Sequence, residues 1–99
     1  MDKAVYLVKF GSKLDSMRAF ETADETFDFI AEVIRGTKHV EHPTHGADYV
    51  KSRAEYGDMV VYEYPLGQNK LAKKLRQNRW RTEMEKRGFK QGKYGKAWE

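Results

Sequence analysis

The chain has 99 residues, 39% apolar and 13% aromatic, enough for one folded domain around a single core and too few for separate cofactor and substrate domains. It contains no cysteine, which excludes disulfide staples, thiolate zinc sites, iron–sulfur clusters and cysteine nucleophiles. The net charge of +4 conceals an asymmetry: residues 1–66 carry 8 Lys+Arg against 12 Asp+Glu (net −4), and residues 67–99 carry 11 against 3 (net +8). Charge segregated along a chain attracts partners of opposite sign. Its plainer consequence is that the basic third docks on the acidic two-thirds.

No stretch approaches the ~20 apolar residues that a membrane span needs. Ala4–Phe10, ahead of the Gly11-Ser12 break, is too short for a signal-peptide core. The expectation is a cytoplasmic protein with no membrane partner.

Ala4–Phe10 reads as a strand from its β-branched and aromatic content, with Tyr6 and Phe10 on one face. A turn over Gly11–Asp15 and a second strand over Ser16–Glu21 complete an N-terminal hairpin. Thr22-Ala23-Asp24-Glu25 is a capping box. Phe27, Ile30, Ala31 and Ile34 follow at the spacing of one helical face. Asp24, Glu25 and Asp28 near the start, Arg35 near the end and Gly36 after it all suit a helix over Ala23–Arg35. Thr37–Ala47, with Pro43 and Gly46, reads as a loop. Tyr49–Tyr56 and Met59–Tyr64 flank Gly57-Asp58, a hairpin-turn signal; the second arm alternates well, whereas the first is compatible with strand or helix. Gly67–Arg87 is rich in strong helix formers and is closed by Gly88.

These elements predict an α+β domain over residues 1–88, in the order ββα-ββ-α. Two helices pack on an antiparallel sheet of about four strands, and a basic aromatic tail follows at 89–99. No pattern calls for a cofactor or a resident metal.

On a continuous helix over 67–87, Leu71, Leu75, Thr82 and Phe89 form a core-facing seam. Trp80 and Met84 then fall on the opposite side, among Lys73, Arg76, Arg79, Arg81 and Arg87. An indole ringed by cations suits nucleic acid, the cations neutralising phosphates and the ring stacking a base. The tail repeats the mixture in Lys90, Lys93 and Lys96 among Phe89, Tyr94 and Trp98. This predicts a small non-enzymatic protein that binds nucleic acid, RNA or DNA, or a ribonucleoprotein.

Two other readings compete. An outward Trp80 and Met84 would also anchor a protein interface, as in an accessory or inhibitor factor of the phage or mobile-element type that docks through this helix or a sheet edge. A kink near Asn78 would instead return both residues to the core and leave the cations as solvated positions.

Three histidines, His39, His42 and His45, lie within seven residues. They could ligate a metal with Glu41, or act as an acid–base pair in a ribonuclease. Polar loops collect histidines without either role, and Pro43 prevents a helix from aligning them. Tyr49, Tyr56, Tyr62 and Tyr64 could form an aromatic sheet face that stacks bases, though such tyrosines usually pack a small core with their hydroxyls at its rim. Asp24, Glu25, Asp28 and Glu32 could hold a divalent cation, but pairing with the helix dipole accounts for them.

Overall fold

The computed structural model describes residues 4–10, 17–38, 40, 46–66, 73–90, 92 and 98. Chain order is β1 (Ala4–Phe10), β2 (Met17–Phe20), α1 (Ala23–Arg35), α2 (Gly46–Glu55), β3 (Met59–Pro65), β4 (Lys73–Lys74) and α3 (Gln77–Lys86). The strands form one antiparallel sheet in the order β2-β1-β3-β4. The expected α+β class and four antiparallel strands are present. There are three helices among the described residues, one more than the sequence predicts.

α1 forms for the reasons its sequence gives. The Thr22 hydroxyl accepts the Glu25 amide at 3.1 Å, and Gly36 takes φ 82 and closes the helix onto the Glu32 and Val33 carbonyls. In that left-handed region a side chain would be strained. The buried stripe is wider than one face, because Phe29 and Val33 join Phe27, Ile30, Ala31 and Ile34 in the core.

Residues 49–55, expected as a strand or helix arm, belong to α2. Val50 and Ala54, four apart, are fully buried while Ser52 between them is only half-buried, a pattern that suits one helical face better than a strand's alternation. Gly57, at φ 73, ends this helix: its amide reaches the Ala54 carbonyl and the Asp58 amide the Arg53 carbonyl. The Gly-Asp pair therefore closes a helix instead of turning a hairpin.

The larger correction lies in the segment expected to be helical from Gly67. Lys73 and Lys74 pair with Glu63 and Tyr62 on the edge of β3, and the Leu75 amide donates to the Val61 carbonyl at 2.8 Å. The edge of β3 offers these residues ladder hydrogen bonds and gives Leu75 a buried place, and this tertiary context overrides their helix propensity. α3 begins only at Gln77.

The inner sheet face carries Tyr6, Val8, Phe10, Met59 and Val61, all buried with the helices against them. No helix among the described residues is long and apolar enough to cross a membrane.

Candidate nucleic-acid interface

The late start of α3 resets its helical phase. Trp80 and Met84, four apart, point inward and are 4% and 0% exposed. Thr82, expected on the core seam, is exposed and donates its hydroxyl to the Asn78 carbonyl at 2.9 Å. Leu75 and Phe89 are buried as expected, from outside the helix; Leu71 lies outside the described residues. The indole of Trp80 meets that of Trp98 edge-on, with centroids 5.4 Å apart. Trp80 is thus a core residue, and the role of base-stacking ring assigned to it is withdrawn.

The cations around it divide into two groups. At the C-terminal end of α3, Arg87 is held by carboxylates. Its Nε donates to Asp28 Oδ1 at 2.8 Å, Nη1 to Glu83 Oε2 at 3.0 Å and Nη2 to Asp24 Oδ1 at 3.3 Å. Burial pulls this guanidinium's pKa down, but the hydrogen bonds and charges of Asp28 and Glu83 outweigh it and the net shift is upward. Arg87 clasps α3 to the start of α1 and leaves the phosphate-binding set. Lys86 pairs with Glu83 at 3.3 Å, and Arg35 spends its guanidinium on the Arg87 carbonyl and the Phe89 ring.

The N-terminal end of α3 is different. Lys73, Lys74, Arg76 and Arg79 are exposed and form no ion pair among the described residues. Arg76 is itself the N-cap and supplies no side-chain cap bond, and the first turn has no acidic residue. Helix starts ordinarily carry Ser, Thr, Asp or Asn at the cap and carboxylates in the first turn, because the end bears partial positive charge. Here cations crowd that same end. Positive charge collected at a helix start favours an anion nearby.

Beside this cluster a groove of about 430 Å³ runs between Gly57–Val60 and Lys74–Arg76, with Trp80 in its wall. Arg81 is half-buried, its Nε without an acceptor among the described residues, and Lys90 is exposed. Lys93, Tyr94, His39, His42 and His45 all lie outside the described residues.

The second face of the sheet completes the surface. Directly opposed residues share a face, so Val5 with Tyr64, Leu7 with Tyr62 and Ala19, Lys9 with Val60, and Lys74 with Tyr62 all lie on it. None of these side chains is buried. The four tyrosines weighed as one aromatic face are split. Tyr62 and Tyr64 stand here, whereas Tyr49 and Tyr56 are on or just after α2, with the Arg53 guanidinium 5.8 and 6.0 Å from their rings. Sequence alone does not single out Lys74, because a Lys-Lys pair inside an apparent helix carries no mark of a sheet edge. Glu63, the sole acid in the described strands, faces inward and accepts the Tyr6 hydroxyl at 2.6 Å.

Fold and surface define an α+β domain with helices on one sheet face, a second face that no described helix covers, and a cationic edge. Comparison with protein-family models, curated proteins and solved structures gives no match.

Proposed function

We propose that this chain binds nucleic acid, with Lys73, Lys74, Arg76 and Arg79 on the phosphate backbone. One observation carries the reading: four exposed cations that form no ion pair among the described residues lie within three residues of the Arg76 N-cap, at a helix start that has neither a side-chain cap bond nor an acidic first turn. A phosphate chain neutralises this cluster and releases its own counterions as it binds. Exposed Lys90 would extend the contact. The competing interface anchored by Trp80 and Met84 loses its anchors to the core.

Anisotropy of a fluorescein-labelled DNA oligonucleotide, titrated at about 50 and 200 mM salt, tests the proposal. Wild-type affinity should fall steeply with salt. Arg76→Glu with Arg79→Glu should weaken binding at least about tenfold and flatten the salt dependence by roughly one power of salt per lost phosphate contact. Both positions are exposed, so the melting temperature should hold. An affinity indifferent to salt and to charge reversal would sink the proposal.

A further inference from the structure

We infer that the sheet face left open by the described helices takes the bases of a single strand, unstacked from one another and laid on Tyr62 and Tyr64. This rests on the phosphate-binding reading above and adds to it the class of nucleic acid and a second contact surface.

The first support is ring geometry. Tyr62 and Tyr64 are two apart on β3 and so project to one side. Their ring centroids are 6.3 Å apart with the planes tilted by 50°, so neither ring covers the other. That spacing is nearly twice the ~3.4 Å rise per nucleotide along a duplex strand. Neighbouring bases can occupy both rings only if they are parted from each other, which a single strand permits and a duplex forbids. Unstacked bases on aromatic side chains are a general mode of single-strand recognition, tolerant of sequence because every base has a π-face.

The second support is charge. Lys74 lies directly across the ladder from Tyr62, within about 5.5 Å between Cβ atoms. Lys9 stands opposite Val60, one row along the same face. No acidic side chain of the described strands shares this face. Rings flanked by cations and free of carboxylates complement a strand whose bases are flat and whose backbone is anionic.

Continuity is the third. Val60 and Lys74 line both this face and the groove that leads to Arg76. A strand held by its phosphates at the start of α3 therefore passes onto the tyrosines without crossing an acidic barrier. Tyr64, 39% exposed, then has an occupant that its exposure in the free protein lacks.

The test compares a labelled oligothymidylate single strand with a labelled duplex on three proteins. Wild type should prefer the single strand. Tyr62→Leu with Tyr64→Leu keeps the apolar bulk and removes the rings; single-strand affinity should fall about ten- to a hundredfold, with duplex affinity and the salt slope unchanged. Tyr62→Phe with Tyr64→Phe should restore wild-type single-strand binding, which separates ring loss from misfolding. Equal single-strand affinity of the Leu variant and wild type overturns the inference, as does a wild-type preference for duplex. If the Leu variant binds normally while Arg76→Glu with Arg79→Glu does not, the phosphate-binding reading survives and this one fails. If wild type binds neither strand form, both fail.

Discussion

Arg87 shows how far one side chain's meaning depends on its neighbours. By type and position it belongs with Arg76 and Arg79, yet it reaches three carboxylates and they reach none among the described residues. Its partners are unequal. Asp24 and Asp28 are 87% and 65% exposed and Glu83 is 17% exposed, so water screens the first two and Glu83 carries most of the energy. Burial pushes the Glu83 carboxyl's pKa up, but the hydrogen bonds from Arg87 and Lys86 and their charges outweigh it, and the net shift is downward. The folded carboxyl thus binds a proton less tightly than the unfolded one. Its stabilisation is in place above the ordinary Glu value of about 4.3 and is lost as pH falls through the lowered folded value. Glu83→Gln should therefore cost about 1 kcal/mol at neutral pH, and the gap to wild type should close in acid. Thermal melts of both proteins at the two pH values measure this; a gap that persists undiminished in acid would contradict it.

At the scale of elements, the bounds of α1 were legible in full, because cap, apolar spacing and terminal glycine agree within fifteen residues. α2 was half legible: Ala47, Val50 and Ala54 are small apolar residues at helical spacing in a polar stretch, too little to decide without the rest of the core. The segment after Pro65 misled for a physical reason. Lys, Leu, Ala and Arg favour a helix when nothing competes, and what competes at 73–75 is the open edge of β3, which only the assembled sheet provides. Once those residues pair as strand, a wheel drawn through them carries the wrong phase into α3, and Trp80 comes out on the wrong side. The usable signal was the Trp80–Met84 pair itself, two large apolar residues four apart in an otherwise polar helix. Their burial is measurable. Trp80→Ala should destabilise the fold by about 3–5 kcal/mol, as for a core aromatic, against about 0.5 kcal/mol or less for an exposed position. Chemical denaturation separates the two outcomes, and a loss near the lower figure would return the indole to the surface.

Across the whole molecule, the opposition between an acidic two-thirds and a basic third is only partly settled inside the fold. Arg87 meets Asp24 and Asp28, so one end of α3 is neutralised by the N-terminal segment, while the cations at the other end form no ion pair among the described residues. The candidate surface was therefore legible as charge and as tyrosines, but which cations remain free and which tyrosines share a face depend on pairing that no linear reading supplies. The same third also contributes to the core. Trp98, 3% exposed, packs edge-on against Trp80, and its amide donates to the Glu55 carbonyl at 3.3 Å. This position near the end of the chain is thereby tied to α2 and α3 together, and its own side chain is buried against Trp80 and lines neither surface proposed to bind nucleic acid. Stability and binding should separate when it is changed. Trp98→Ala should cost about 3–5 kcal/mol, lowering Tm by more than about 10 °C in a domain of this size. Trp98→Phe should cost less and keep the protein folded at working temperature. Oligonucleotide affinity and salt slope of the Phe variant, measured well below its Tm, should match wild type. Unchanged stability in the Ala variant would detach Trp98 from the core, and a binding loss in the folded Phe variant would place it at the interface.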